Sequence, residues 1–98
     1  MEKSKKYFCN VTKVLQTYID KKFGNNSREI FITITEESLK NRVFTIDMIG
    51  ATLGAIWLDN DFCITDIDID DYYSGYIFPN NINELLEKFI GQKIEIEE

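Results

Sequence analysis

Leu53-Gly54-Ala55-Ile56-Trp57-Leu58, then Asp59-Asn60-Asp61, then Phe62-Cys63-Ile64-Thr65-Asp66-Ile67-Asp68-Ile69-Asp70: the reading of these consecutive stretches decides the fold. The first is an apolar run of strand length and the second a turn. The third alternates isoleucine with aspartate at the two-residue period of a half-buried strand. Together they predict a hairpin whose isoleucines supply core and whose aspartates supply surface. It runs on into an aromatic loop, Tyr72-Tyr73-Ser74-Gly75-Tyr76-Ile77-Phe78. A helix over Val43–Leu58 is disfavoured by β-branched residues and two glycines. Trp57 alternates with Leu53 and Ala55 and is expected in the core. Gly50 reads either as a turn between strands or as a bulge in one long strand. Gly54 marks a bend or a close approach. No Lys-Ser or Lys-Thr follows either glycine, so neither belongs to a phosphate loop.

Upstream, Ile30, Ile32 and Ile34 alternate with Phe31, Thr33 and Thr35, which predicts a strand over Arg28–Thr35. Glu36–Asn41 is read as a polar connection, and Val43, Phe44 and Ile46 place a strand over Arg42–Met48. Before these, Tyr7, Phe8, Val11, Val14, Leu15, Tyr18 and Ile19 recur at helical spacing. An amphipathic helix over Lys3–Phe23 follows, with Lys21 and Lys22 in its last turn and Gly24 as C-cap. Downstream of Pro79, Asn81 and Glu84 resemble a capping box opening a helix whose apolar face is Ile82, Leu85, Leu86, Phe89 and Ile90. Gly91 ends it, and Ile94 and Ile96 predict a terminal strand over Lys93–Glu97. The expected fold is α+β: one domain over residues 1–98, in the order α-β-β-β-β-α-β. A mostly antiparallel sheet of about five strands carries two helices on one face.

The composition, 98 residues with 44% hydrophobic and 29% charged, is that of an ordered domain. Such a domain buries roughly 60–70% of its unfolded surface. The basic opening Lys3-Ser4-Lys5-Lys6 is not followed by an apolar stretch of signal or membrane-span length, so a cytoplasmic protein is expected. Cys9 and Cys63 are then reduced structural thiols. There is no histidine. This removes the commonest general base and metal ligand, and with them every Ser-His or Cys-His arrangement. No catalytic residue, cofactor or metal is assigned, and the protein is expected not to be an enzyme. Asp66-Ile67-Asp68-Ile69-Asp70 fails as an EF-hand, because the sixth position is Asp71 in place of glycine and the twelfth is Ile77 in place of glutamate. A metal-dependent hydrolase built on Asp66, Asp68 and Asp70 ranks last among the functions considered.

Charge is distributed unevenly. The net charge is −6, yet the chain through Lys22 carries an excess of lysine, and no lysine or arginine occurs between Arg42 and Lys88. A solvated acidic face accounts for this in the plainest way. The sharper reading is a surface relieved of self-repulsion by a basic partner. Asp66, Asp68 and Asp70 on one strand face would stand a little under 7 Å apart, close to successive phosphates of a nucleic-acid strand. Direct nucleic-acid binding lacks the necessary basic patch. The candidate partner-binding residues are Asp59, Asp61, Asp66, Asp68, Asp70, Asp71, Tyr72, Tyr73 and Tyr76, since tyrosine beside charge suits an interface.

In size and charge alone, without a motif, the chain resembles phage-encoded inhibitors of bacterial defence such as anti-CRISPR proteins. It also resembles the immunity proteins that neutralise nuclease toxins, the alternative to that reading. The resemblance implies an acidic inhibitor occupying the basic groove of a nucleic-acid enzyme. A further alternative is a regulatory or structural subunit, or a homodimer, pairing through the edge of the Lys93–Glu97 strand.

Overall fold

The computed structural model describes residues 4–25 and 28–96. Lys3 and Glu97, which bound the expected first helix and last strand, lie outside this range, as do Asn26 and Ser27. The elements are β1 (Lys5–Tyr7), α1 (Asn10–Phe23), β2 (Ile30–Ile34), α2 (Glu36–Asn41), β3 (Val43–Met48), β4 (Ala51–Leu58), β5 (Ile64–Ile69) and α3 (Ile82–Leu86). A 3-10 turn, Glu87–Phe89, extends α3. The five strands form one antiparallel sheet in the order β1-β2-β3-β4-β5. The class is α+β, as expected, but three elements differ from the sequence reading.

The expected first helix is split. Lys5–Tyr7 pairs with Ile34–Ile32 as an edge strand. Thr12 then starts α1: its hydroxyl accepts from the Cys9 N–H at 3.0 Å and donates to the Cys9 carbonyl at 2.8 Å. Tyr7 and Phe8 happen to continue the helical spacing of Val11 and Leu15, so periodicity ran through a boundary that strand pairing imposes. The connection Glu36–Asn41 is a helical turn capped by Thr35, whose hydroxyl accepts from the Ser38 N–H at 3.0 Å. Over its described residues, 93–96, the terminal segment is not a strand. Apart from a single bridge between Lys93 and Cys63, it runs without regular structure, although Ile94 is still buried.

α1 lays Val11, Leu15 and Ile19 on one face of the sheet, and α3 adds Ile82 and Leu86 to the same core. Leu85 and Ile90 remain exposed at 39% and 47%. α3 gives way to the tighter 3-10 turn after five residues, so the buried series is Ile82, Leu86, Phe89. Asn81 makes no side-chain cap; the residue that matters here is Asn83, described below.

Two bulges set the sheet's phase. Between β3 and β4 the register passes from Ile46↔Gly54 to Asp47↔Thr52, leaving Leu53 with no opposite residue. Leu53 therefore joins Ile56 and Leu58 on the core face, while Ala55 and Trp57 turn outward. Trp57 is 38% exposed, which corrects its expected place in the core. Between β4 and β5 the register passes from Trp57↔Asp66 to Leu58↔Ile64, so Thr65 is the extra residue. Ile64, Ile67 and Ile69 all stay inward as a result. Gly50, with φ 85°, lies in the two-residue turn joining β3 and β4; the bulge is at Leu53.

Candidate functional site

One face of the sheet carries the helices, and no described element packs on the other. On this open face the outward residues run across the strands in register. Thr33 lies opposite Thr45, Thr45 opposite Ala55, and Ala55 opposite Asp68. The neighbouring row sets Val43 opposite Trp57 and Trp57 opposite Asp66. Asp47 is held among hydroxyls, accepting from Thr33 Oγ1 and, at 2.8 Å, from Thr45 Oγ1. Phe31 reaches the same face and is covered by Lys6, whose Nζ lies 4.5 Å from the ring centroid and 3.3 Å from Glu29 Oε1. That contact is the one ion pair among the described residues. Among the described residues, neither of the exposed Asp66 and Asp68 makes an ion pair.

Their carboxylates are nonetheless oriented. Asp66 Oδ1 accepts from the Ile67 N–H at 2.9 Å, and Asp68 Oδ1 accepts from Asn83 Nδ2 at 3.3 Å. Asn83 also acts as a one-residue strand on the outer edge of β5. Its Oδ1 accepts from the Ile69 N–H at 2.8 Å and its Nδ2 donates to the Ile69 carbonyl at 3.4 Å. At the other end of β5, Ile64 N–H donates to the Gln92 carbonyl at 2.9 Å, and Gly91 N–H donates to the Ile64 carbonyl at 2.7 Å. The β5 edge is thus occupied at both its ends from within the chain, and β1 forms the other edge of the sheet.

The nine residues singled out by sequence do not form one surface. Asp66 and Asp68 share the open face. Asp59 and Asp61 lie in the β4–β5 loop, at the far end of β5 from the tyrosines. There Asp59 Oδ1 accepts from the N–H groups of Asp61 and Cys63 at 2.8 and 3.0 Å, so Asp59 builds the turn. Asp70 does similar work at the end of β5, accepting from the Tyr72 N–H at 2.9 Å, and the exposed Asp71 follows it. The loop that follows belongs to the helix layer. Phe78 packs edge-on against Tyr18 of α1, and Lys22 of α1 donates to the Tyr76 carbonyl at 2.9 Å with its Nζ 4.5 Å from the Tyr76 ring. Tyr73 packs against the core, whereas Tyr72 and Tyr76 are exposed with their rings 6.2 Å apart. Phe8, placed on the helix's apolar face by sequence, is 48% exposed, and Trp57 is a second surface aromatic that sequence reading missed. The signal was Gly54, a glycine inside a strand, which points to a bulge and hence a phase change.

Among the described residues no three His, Cys, Asp or Glu side chains are grouped to hold a metal ion. A cleft of about 340 Å³ opens between the start of α1 and the C-terminal segment, lined by Tyr7, Phe8, Cys9, Lys13, Gln92 and Lys93 among others. Burial pushes the Cys9 thiol above its ordinary pKa, against smaller opposing effects of hydrogen bonds and of Lys13. The folded state thus holds the thiol proton more tightly than the unfolded chain. Its contribution to stability is complete below the ordinary thiol range and falls as pH rises through it. Both cysteines are free thiols. Cys9 should therefore alkylate more slowly than a peptide thiol at pH 8, and dithiothreitol should leave the melting temperature unchanged. A drop in melting temperature on reduction would overturn the free-thiol assignment.

No helix among the described residues is long and apolar enough to cross a membrane. No family model, curated protein or solved structure matches the chain.

Proposed function

We propose that this protein is a non-enzymatic acidic inhibitor, acting in the cytoplasm, that sets its open sheet face into the basic groove of a nucleic-acid-processing enzyme. The observation that carries this reading is the pair Asp66 and Asp68. The two are exposed, side by side, on a face that no helix covers, and β3, β4 and β5 contribute no lysine or arginine to offset them. Two aspartates whose Cα atoms stand roughly 7 Å apart along a strand offer a basic groove roughly the charge spacing of a nucleic-acid backbone. Paired in such a groove, they lose the repulsion they feel in the free protein. Phage anti-defence inhibitors and immunity proteins of nuclease toxins would both use this chemistry.

The test is competition. Immobilised protein should retain a purified basic nuclease at low salt, and duplex DNA should displace it. Replacing Asp66 and Asp68 together by asparagine keeps shape and much of the hydrogen bonding, and should leave the melting temperature the same or slightly higher. It should weaken retention about tenfold or more at 50 mM salt and less at 300 mM, where the charges are screened. Retention that ignores both DNA and the double substitution would sink the reading.

A further inference from the structure

Resting on that reading, we infer that the open face is a docking surface for arginine specifically, with Trp57 as its anchor. The observation is a block of four residues in register on β4 and β5: Trp57 opposite Asp66, and Ala55 opposite Asp68. Side chains directly opposite one another on a sheet have Cβ atoms about 4.5–5.5 Å apart. The indole is 38% exposed and stands two residues from the half-buried Ala55, whose single methyl group would leave a notch between Trp57 and the two carboxylates. A flat cation entering this notch meets an aromatic wall on one side and carboxylate oxygens on the other. Guanidinium fits both at once, since it is planar, stacks on indole and donates in a fork to carboxylate. An ammonium group is more strongly hydrated and cannot stack and fork together. The hydrogen bonds from Ile67 and Asn83 hold one oxygen of each carboxylate toward the outer edge of β5, and no hydrogen bond among the described residues holds the other oxygen. Charge complementarity selects a basic protein segment as the occupant. A second copy would bring the same acidic rows face to face.

Trp57 is the only tryptophan in the chain, so its emission reports on this notch alone. Titrating the unaltered protein at low salt with nona-arginine should shift or quench that emission. Nona-lysine of equal charge should bind at least about threefold more weakly and change the emission less. In the Trp57→Leu variant, with folding checked by circular dichroism, labelled nona-arginine should lose its advantage over nona-lysine while charge-driven binding of both persists. Suppose both peptides bind equally, without disturbing Trp57, and the Asp66→Asn/Asp68→Asn double variant abolishes binding. The acidic-capture reading then survives and the arginine notch is wrong. If neither peptide binds, both are wrong. Emission that changes with protein concentration alone, together with a dimer in sedimentation, would put a second copy on the face and overturn the inference.

Discussion

Replacing Gly54 by valine is expected to lower the unfolding free energy by roughly 3 kcal/mol or more, the upper range for overpacking a tight site. A Cβ at this position would stand 2.2 Å from the Asp68 carbonyl oxygen and 2.9 Å from the Ile69 Cα. Both atoms are backbone of β5, so no side chain can swing aside, and strands paired at Gly54↔Ile69 would have to separate. The loss would spread beyond one contact. Ile67 and Ile69 enter the core from this strand, and Asn83 holds its other edge. For a domain of this size each kcal/mol is worth about 4–8 °C in melting temperature, so the change should be plain in a thermal scan. Gly50→Ala is the control. It meets nothing within 4 Å and suffers only from its φ of 85°, a cost of about 1 kcal/mol. Equal costs in the two variants would show that β4 and β5 do not approach as described.

The same glycine explains how far the sequence could be read. Alternation of aspartate and isoleucine over residues 66–70 is enough to assign β5, its buried face and the outward Asp66 and Asp68, because strict period two has one interpretation; Ile64 is also inward only because Thr65 is an extra residue. The partner run Leu53–Leu58 is apolar at nearly every position and carries no phase of its own. Its phase is set by an extra residue at Leu53, whose only trace in sequence is the adjacent Gly54. Extending the alternation through the run places Trp57 inside, whereas it lies on the open face, 38% exposed. The tyrosine loop is legible only in part. Its composition suited an interface, but its location depends on Phe78 meeting Tyr18 and Lys22 meeting Tyr76, 60 and 54 residues apart in the chain, and no local pattern encodes such contacts. The chain ends were misread for the same reason. Lys5–Tyr7 is a strand only because β2 offers an edge, and Lys93–Ile96 is not one although its residues alternate.

Three aromatic truncations on neighbouring strands should separate the two faces of the sheet by their cost. Phe44 is fully buried between the sheet and the helices, and its ring lies 6.4 Å from that of Phe62 in a stacked pair. The far side of the cluster is closed by the Arg42 guanidinium, 4.0 Å from the Phe62 ring centroid. Both Arg42 and Phe62 adopt positive φ, 60° and 64°, conformations that cost energy and persist only while surrounding packing holds them. Phe44→Ala should therefore cost about 3–5 kcal/mol, the range for a large core aromatic. That is a large share of the roughly 5–15 kcal/mol available to a small domain. Phe31 is also nearly covered, but on the open face, by the stem and ammonium of Lys6 and not by the core. Its truncation leaves a site that water can enter, and should cost about 1–2 kcal/mol. Trp57→Ala removes a ring already 38% exposed, on a face without a core behind it, and should cost about 1 kcal/mol. Urea unfolding with unchanged m-values measures all three. The order Phe44, Phe31, Trp57 follows from a sheet with one buried and one open face. A Trp57 substitution as costly as Phe44→Ala would mean that something covers the open face, and the docking surface would not exist.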